Sequence, residues 1–276
     1  MKKLLALALA LALCLSLAAC GGSTASSSTS TETASTDSSS DGTEKTVFIQ
    51  GFDLDYPPYS YLKDDGSIGG FDVEVCQAVC KYLGWEYQSC PFNWDAKDAE
   101  LQSGSADCIW SGFTVEGRED DYLWSIPYSN NTQMILVAED SGIETLADLA
   151  GKTVGVQTAT SAYDLLQGDQ KAVADTFASL EIFETYTIAF EDLKAGGIDA
   201  IAIDATAGGY LISDVEGYKF LDETLGVETY AAGFRKGDEA LRDKVNEALE
   251  ALSADGTIAK IAEKEEYADI RDYLCL

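Results

Sequence analysis

Three side chains could bind charged groups, and two of them, Ser161 and Asp204, lie at the ends of predicted elements. Arg118 carries a guanidinium, which can grip a carboxylate through two parallel hydrogen bonds. Ser161 follows a predicted strand that ends at Thr158 and begins a predicted helix, whose free backbone N–H groups attract anions. Asp204 ends the apolar strand Ile198–Ile203, where a carboxylate does not serve a core. These groups predict binding of the charged parts of a small solute.

Each of these residues also has a purely structural interpretation. The alternatives are a surface ion pair of Arg118 with Glu119 or Asp120, a helix cap at Ser161 with Asp164 as its capping partner, and a helix cap at Asp204 for the segment that begins at Ala205.

The composition excludes several classes of protein. Histidine is absent, which removes Ser-His-Asp and Cys-His catalysis and the commonest transition-metal ligand. The formal net charge of -30 repels phosphate backbones, so we expect no nucleic-acid partner. Gly151-Lys152-Thr153 is not a P-loop, because Leu146 stands where the first glycine is required and a predicted strand follows. We expect no metal site and no cofactor.

The chain begins with a predicted secretory leader. Met1-Lys2-Lys3 precedes an apolar run, Leu4–Leu17, that is too short to span a bilayer. The run ends in Leu17-Ala18-Ala19-Cys20, which resembles a bacterial lipobox, so residues 1–19 are a predicted lipoprotein signal peptide and Cys20 the predicted lipidation site. The alternative is an ordinary cleaved signal with an incidental cysteine. Residues 20–45 are rich in Ser and Thr and predict a disordered tether that holds a folded part of about 230 residues near a membrane.

The remaining cysteines are odd in number for an exported protein. Cys76 and Cys80 lie four residues apart on one face of a predicted helix, and no zinc-type spacing occurs. Buried free thiols are therefore favoured over disulfides. The cysteines concerned are Cys76, Cys80, Cys90, Cys108 and Cys275.

From Thr46 onward, apolar β-branched runs alternate with segments of helical periodicity, which is α/β patterning around mostly parallel sheets. The pattern restarts after Thr132, which predicts two units that each own a sheet. Two extended stretches, Ser129–Leu136 and Val227–Arg235, bracket the second unit and predict a double crossover that serves as a hinge. Asp238–Asp269 predicts terminal helices that pack on one of the units. Because ligands bind beyond the carboxyl ends of strands, a cleft is expected between the units.

The predicted strands are Val47–Phe52, Tyr87–Phe92, Ala106–Phe113, Met134–Ala138, Thr153–Thr158, Ile182–Tyr186 and Asp199–Asp204. The predicted helices are Val73–Leu83, Ala99–Ser103, a segment near Thr145–Ala150, one that begins at Ser161, and Ala189–Ala195.

The segment Gly70–Gly84 predicts a helix that Asp72 caps and Gly84 ends. Its predicted buried stripe consists of Val75, Cys76, Val79, Cys80 and Leu83. This segment closely resembles the signature of the family-3 extracellular solute-binding proteins, the amino-acid receptors of ABC importers. Three further segments are similar to that family in order and spacing, and the resemblance covers essentially all of residues 46–270: Gly51–Ser60, Gly112–Val115 with Arg118, and Leu146–Gln157.

The resemblance implies a two-lobed periplasmic-binding-protein-like α/β fold of type II, with two sheets joined by a double-crossover hinge. Lobe 1 would comprise residues 46–131 plus 233–276, and lobe 2 residues 132–232. It further implies a monomeric receptor, not an enzyme, at the outer face of the cytoplasmic membrane. Its partners would be an amino acid, the permease and ATPase of an ABC importer, and the membrane through the lipid anchor at Cys20.

The resemblance also implies roles for particular residues. A zwitterion buried between lobes requires a cation for its carboxylate and an anion for its ammonium. Arg118, Thr160 and Ser161 match the family's carboxylate site. Asp204, a carbonyl of Ser111 or Gly112 and the Thr114 hydroxyl match its ammonium site. Tyr56 and Trp94 match aromatic residues that sandwich the ligand side chain, Asp53 is a further candidate in the same loop as Tyr56, and Gln157 and Ile203 match variable pocket positions.

The side chains of Gln157 and Ile203 carry no charge, which favours a neutral or polar amino acid. Two other functions remain open: an exported dehydratase-like enzyme on the same scaffold, and a sensory receptor without a transport role. The absence of histidine and of a second cleft carboxylate near Asp204 argues against the enzyme.

Overall fold

The computed structural model of the chain describes residues 47–276. The predicted signal peptide, the predicted lipidation site Cys20 and the predicted tether lie outside these residues. Within the described part, no helix is both long enough and apolar enough to cross a membrane.

Strands and helices alternate along the chain. The strands are β1 (Val47–Asp53), β2 (Asp55–Tyr56), β3 (Ser60–Leu62), β4 (Ile68–Gly69), β5 (Glu86–Phe92), β6 (Cys108–Ile109), β7 (Leu123–Trp124), β8 (Ser129–Ala138), β9 (Thr153–Gln157), β10 (Ser179–Phe183), β11 (Ala200–Asp204), β12 (Tyr218–Phe220), β13 (Gly226–Tyr230) and β14 (Gly233–Phe234). The α-helices are α1 (Phe71–Leu83), α2 (Lys97–Ser103), α3 (Ser161–Gln167), α4 (Lys171–Ala174), α5 (Tyr186–Ala195), α6 (Ala205–Ile212), α7 (Glu239–Ala254) and α8 (Thr257–Ala262). Three segments form 3₁₀-helices: Trp94–Ala96, Leu146–Leu149 and Glu265–Tyr273.

The first sheet has the strand order β5-β1-β6-β14-β7. Strand β1 pairs in parallel with both β5 and β6, whereas β14 runs antiparallel to β6 and β7. We call the part built on this sheet lobe 1. The terminal helices α7 and α8 pack against α1 on this lobe.

The second sheet has the order β10-β9-β11-β8-β12, and β13 also pairs with β8. Its centre is parallel, because β9 pairs in parallel with β10 and β11, and β8 runs antiparallel to its neighbours. Every residue of β11 is buried, as expected for a strand covered on both faces. We call the part built on this sheet lobe 2.

The chain enters lobe 2 along β8 and returns along β13, and these two strands pair with each other. We call this pair the crossover ribbon. In its register Ser129 lies opposite Tyr230, and Asn131 lies opposite Glu228. The predicted α/β architecture of two sheets joined by a double crossover is therefore confirmed.

Helix α1 shows how the predicted signature segment folds. Gly70 precedes it at a φ of 125°, and a Cβ there would lie 2.2 Å from the carbonyl oxygen of Tyr59, so only glycine fits. Gly84 ends the helix in the left-handed conformation, as predicted. The prediction that Asp72 caps the helix is wrong, because its side chain is buried and accepts bonds from elsewhere in the chain.

Two predicted element boundaries also differ. The strand predicted at Ile182–Tyr186 ends at Phe183, because the Thr185 hydroxyl accepts a bond from the N–H of Ile188 and so begins α5. The strand predicted at Ala106–Phe113 is only the short β6. The residues after β6 keep backbone hydrogen bonds to Gly51 and to residues 229–231, but the positive φ of Gly112 interrupts the strand. They form one wall of the site described below.

The cysteines of the described part are free thiols. Cys76, Cys80 and Cys108 are buried in the lobe 1 core, whereas Cys90 is half-buried and Cys275 is exposed. The predicted burial therefore holds for the first three and is wrong for Cys275.

Candidate functional site

A small cavity of about 20 Å³ lies between residues of the two lobes, at the carboxyl ends of β1, β9 and β11. The residues that line it are Asp53, Tyr56, Trp94, Ser111, Gly112, Thr114, Arg118, Gln157, Thr160, Ser161 and Asp204. The structure thus brings the predicted ligand residues together around one cavity. Ile203, the other pocket position considered, is buried in the core beneath it.

Arg118 is the cation of the cavity wall from lobe 1. Its guanidinium lies 5.6 Å from the ring centroid of Phe113 and donates to the carbonyl of Thr114 at 3.5 Å. Its Nη2 atom pairs with Asp164 Oδ2 of lobe 2 at 2.6 Å, so the proposed local pairs with Glu119 or Asp120 are not the ones that form. The side chain of Arg118 is 11% exposed, and that of Asp164 is 59% exposed. The cation is thus held in place, while its present counter-ion faces solvent.

The start of α3 forms the opposite wall. Thr160, not Ser161, is the N-cap, because its hydroxyl accepts a bond from the N–H of Tyr163. The prediction that Asp164 is a capping partner is therefore wrong, since Asp164 pairs with Arg118 instead. Ser161 donates from its hydroxyl to Oε2 of Glu228 at 2.5 Å.

Asp204 stands at the N-terminus of α6, but its carboxylate makes no capping bond. Its Oδ1 atom accepts bonds from Asn131 Nδ2 at 2.9 Å, from Gln133 Nε2 at 2.5 Å and from the Tyr230 hydroxyl at 2.5 Å. The Tyr230 hydroxyl also lies 3.1 Å from that of Tyr56, which lines the cavity. The cap interpretation of Asp204 therefore fails, and its charge is turned toward the crossover ribbon and the cavity.

Glu228 is a second buried carboxylate beside Asp204, so the expectation that no second carboxylate lies near Asp204 is wrong. It lies on β13 and is 6% exposed, whereas its neighbour Val227 is 77% exposed. Burial raises the pKa of Glu228 to about 7, and the charge of Asp204 adds to this effect. Its position two residues before the buried Tyr230, on the same face of a strand, was the one available signal.

Asp53 and Gln157 join the two lobes across the cavity. The Gln157 amide donates from Nε2 to Asp53 Oδ2 at 2.7 Å, while its Oε1 atom is buried without a hydrogen-bond partner among the described residues. Burial raises the pKa of Asp53 to about 6. Gln157, predicted to be a neutral pocket position, thus presents an unpaired acceptor beside a carboxylate.

The aromatic residues of the cavity are held by neighbours. Tyr56 stacks on Tyr59 with centroids 5.6 Å apart, and Trp94 meets Phe113 edge-on at 5.4 Å. The Trp94 indole donates across the cavity to the carbonyl of Ala159 at 3.0 Å. Ala159 has a φ of 56°, a conformation that costs a non-glycine residue roughly 1 kcal/mol and aims this carbonyl at lobe 1.

Asp72 supports the cavity from below. Its Oδ2 atom accepts bonds from the N–H of Gly112 at 2.7 Å and from the Tyr128 hydroxyl at 2.6 Å. Gly112 has a φ of 53°, and a Cβ there would lie 2.5 Å from Tyr56. Asp72 therefore fixes the turn that carries the carbonyls of Ser111 and Gly112 past the cavity. Burial raises the pKa of Asp72 to about 7.

The raised pKa values of Asp53, Asp72 and Glu228 determine how stability varies with pH. Each group binds a proton more tightly in the folded than in the unfolded chain. The resulting stabilisation is full below the unfolded pKa, near 4, and is lost as pH rises to the folded value of about 6 to 7. We therefore expect the midpoint of thermal unfolding to be higher at pH 5 than at pH 8, at constant ionic strength.

The net charge of -30 acts in the same direction, so a variant is needed to isolate the buried groups. Asp72→Asn keeps an oxygen for Gly112 and Tyr128 but cannot titrate. We expect it to reduce the difference between the two pH values, chiefly by stabilising the protein at pH 8. A melting temperature that rises from pH 5 to pH 8, or an unchanged slope in the variant, would contradict this account.

Comparison with known proteins adds to this geometry. The sequence model of the bacterial extracellular solute-binding proteins, family 3, matches residues 48–265. The chain is 32% identical over 236 residues to the L-cystine-binding protein TcyJ of Escherichia coli (strain K12). The aligned region covers 82% of this chain and 85% of that protein. It is 33% identical over 233 residues to the arginine-binding extracellular protein ArtP of Bacillus subtilis (strain 168), covering 82% and 89% of the two chains.

Solved structures of amino-acid-binding proteins are also similar to this chain. A substrate-binding protein of an ABC uptake transporter from Streptococcus pneumoniae, with bound histidine, superimposes with a TM-score of 0.76 at 31% identity, over 79% of this chain and 91% of that one. An ancestral arginine-binding protein bound to glutamine superimposes with a TM-score of 0.72 at 32% identity, over 79% and 97% of the two chains.

Proposed function

The chain belongs to the bacterial extracellular solute-binding proteins of family 3, and we propose that it captures an α-amino acid by closure of its two lobes. It is a solute-binding receptor that acts outside the cytoplasm. The observation that carries the proposal is that one cavity is lined by Arg118 from lobe 1 and by Asp204 and Ser161 from lobe 2. Opposite charges in one small cavity suit a zwitterion, because each charged end of the ligand then finds a partner.

The carboxylate of the ligand would bind the Arg118 guanidinium and the N-terminus of α3 at Thr160 and Ser161. A guanidinium supplies two parallel donors, and the first N–H groups of α3 supply more. The ligand must replace Asp164 as the partner of Arg118, and the high exposure of Asp164 keeps the cost of this exchange low.

The ammonium group of the ligand would bind near Asp204. The carbonyls of Ser111 and Gly112 and the hydroxyl oxygen of Thr114 are the other acceptors in the lining that support this site. Asp72 holds the backbone of Gly112, and thereby these acceptors, in place.

The side chain of the ligand would extend toward Tyr56, Trp94, Asp53 and Gln157. The named relatives bind cystine and arginine, and the superimposed structures hold histidine and glutamine, so the shared chemistry is the α-amino acid group itself. Aromatic rings and one amide accept several side chains, whereas Asp53 favours a ligand that brings a hydrogen-bond donor.

Lobe closure is supported by bonds that span the lobes. Besides the Arg118 and Asp164 pair, Gln157 bonds Asp53, and the Thr187 hydroxyl donates to Asp55 Oδ1 at 2.8 Å. A ligand that touches both lobes binds the closed form better and so shifts the equilibrium toward it. We assign residues 46–131 plus 233–276 to lobe 1 and 132–232 to lobe 2.

We further propose that the closed receptor, a monomer, delivers its ligand to the permease and ATPase of an ABC importer. The relatives support this, because they include binding proteins of ABC transporters. Cys20, after a predicted signal peptide, would carry the lipid that anchors the receptor to the outer face of the cytoplasmic membrane. No catalytic step belongs to this function.

A thermal-shift screen of the purified protein with the twenty L-amino acids and L-cystine tests the proposal. We expect saturable stabilisation by at least one of them, and calorimetry should give one site per chain. The matched controls are the N-acetyl derivative and the methyl ester of that amino acid, which lack the ammonium and the carboxylate respectively; both should fail to bind. No shift with any amino acid would refute the proposal, and consumption of the ligand during incubation would indicate an enzyme.

A further inference from the structure

Glu228 is fully satisfied by hydrogen bonds but has no positively charged partner. Its Oε2 atom accepts bonds from Thr114 Oγ1 at 3.1 Å and Ser161 Oγ at 2.5 Å, one from each lobe. Its Oε1 atom accepts bonds from Asn131 Nδ2 at 2.6 Å and Gln133 Nε2 at 2.7 Å. Within residues 47–276 it forms no ion pair with a lysine or arginine. Its charge is therefore buried without compensation.

Glu228 and Asp204 share their hydrogen-bond donors. Gln133 Nε2 lies 2.5 Å from Asp204 Oδ1 and 2.7 Å from Glu228 Oε1. Because one nitrogen bonds both atoms, these two carboxylate oxygens are close neighbours. Asn131 Nδ2 also bonds both carboxylates. Two carboxylates this close in a buried site cannot both be charged without a large cost, unless a proton or another cation joins them.

Two of the hydroxyls that line the cavity, those of Thr114 and Ser161, are committed to Glu228. Because Thr114 and Ser161 donate their protons to its Oε2 atom, they can only accept further bonds, and Ser161 Oγ already accepts one from Gln133 Nε2 at 2.9 Å. The buried Oε1 atoms of Gln133 and Gln157 also lack a donor among the described residues. The cavity and its floor therefore offer an excess of acceptors, which calls for a ligand group with several donors and a positive charge.

We propose that Glu228 is a further determinant of ligand binding, which forms with Asp204 a two-carboxylate site that exchanges one proton for the ammonium group of the ligand. The inference rests on the proposed function and extends it by naming a residue and a proton linkage. When the ammonium enters, it neutralises the pair, and the proton that the pair held passes to the solvent. When the ligand leaves, the pair takes up a proton again.

The direction of the pH effect follows from the charges. Burial and the charge of Asp204 raise the pKa of Glu228 to about 7, and a bound ammonium lowers it. Binding should therefore release a proton below about pH 7 and almost none at pH 8. Each pH unit below about 7 should then weaken binding by up to about tenfold.

Other ionisable groups approach Glu228 from each neighbouring element. Asp204 of β11, Tyr230 of β13 itself and Tyr186 of α5 interact with it directly, whereas Asp164 of α3 and Glu116 of the segment after β6 only line an open groove beside it. Arg118 is already paired with Asp164, so it does not compensate Glu228.

The test is calorimetry of wild-type protein with the L-amino acid that gives the largest thermal shift, at pH 5.5, 6.5 and 8. Each titration is repeated in buffers of different ionisation enthalpy, because the dependence of the observed binding enthalpy on the buffer gives the number of protons released. Protons that the free ligand itself loses are subtracted from this number. We expect wild type to release more than half a proton at pH 5.5 to 6.5 and to bind roughly ten times more tightly at pH 8 than at pH 5.5.

Glu228→Gln keeps the shape and one acceptor oxygen but cannot exchange the proton. We expect this variant to release little proton and to have nearly the same affinity at all three pH values. Asp53, whose pKa is raised to about 6, is unchanged in Glu228→Gln. Any proton release that remains in this variant therefore measures the contribution of Asp53. Glu116→Gln is the matched control, because Glu116 is an exposed acid that bonds Thr229 beside the same ribbon; it should behave as wild type.

Wild-type binding without proton release at pH 5.5 and 6.5 would overturn the inference, whether or not the variant folds. Undiminished proton release in Glu228→Gln would also overturn it. A uniform loss of affinity at every pH, with proton release intact, would identify Glu228 as a structural support only. Failure of the proposed function is different, because no amino acid would then bind at any pH.

Discussion

Replacement of Asp204 by Asn should nearly abolish amino-acid binding while leaving the fold intact. The ligand's ammonium would keep only Glu228 of the two carboxylates proposed to receive it, and removal of one partner of a buried charge pair costs roughly 2 to 5 kcal/mol. The affinity should therefore fall by roughly 30-fold to several thousandfold. Asn at this position still offers an oxygen to Asn131, Gln133 and Tyr230, so their buried groups keep a partner.

The same substitution should not lower thermal stability, and this is what separates a binding role from a structural one. Asp204 and Glu228 repel each other in the unliganded cavity, and Asn removes that repulsion. We expect an unliganded melting temperature at pH 8 equal to or a few degrees above that of wild type. Differential scanning calorimetry and ligand titration check both parts. An affinity within threefold of wild type would disprove the assignment of Asp204.

Replacement of Arg118 by Ala should weaken binding by a similar factor, because the carboxylate of the ligand would enter a buried site without its cation. The protein itself should lose little stability, since the partner Asp164 is largely exposed and regains water. Arg118→Lys should retain part of the affinity, because an ammonium supplies the charge without the two parallel donors of a guanidinium. Isothermal titration calorimetry measures all three proteins.

Arg242→Ala is the matched control for Arg118. Arg242 is also partly buried and also bonds a backbone carbonyl, that of Trp124 at 3.0 Å, but it does not line the cavity. Its removal should leave the affinity unchanged. Equal losses in the two variants would mean that the effect of Arg118 is a general one on structure, and unchanged affinity in Arg118→Ala would overturn the assignment of the carboxylate site.

Much of the cavity could be predicted because its residues follow buried strands. Asp53, Gln157 and Asp204 end β1, β9 and β11, and the carboxyl ends of parallel strands gather at one edge of a sheet. An apolar strand that ends in a carboxylate or an amide is visible in the sequence without knowledge of the partner strand.

The wrong predictions concern polar residues near helix starts. Asp72 and Asp164 stand where side chains commonly cap helices, and the local pattern favoured that use. In the structure Asp72 bonds the N–H of Gly112, and Asp164 pairs with Arg118. A capping bond is made within one turn, whereas its competitors here are 40 or more residues distant in the chain, so no local pattern reveals them.

The burial of Glu228 is the clearest case of a feature that no local sequence pattern reveals. Alternation along a strand normally turns valine inward and glutamate outward, yet Val227 is exposed and Glu228 is buried. The pairing of β13 with β8 sets this register, since it places Glu228 opposite Asn131 and Tyr230 opposite Ser129. The donors of Asn131 and Gln133 then satisfy the carboxylate.

The sequence by itself determined the two α/β units, the crossover and the residues at the strand ends, because these depend on local periodicity and on the order of elements. Only the tertiary structure decided which carboxylates meet. The Arg118 and Asp164 pair and the Asp204 and Glu228 pair each join segments that become neighbours only when both sheets and the crossover ribbon are assembled. Charge interactions act over a few ångströms in space, whatever the separation along the chain.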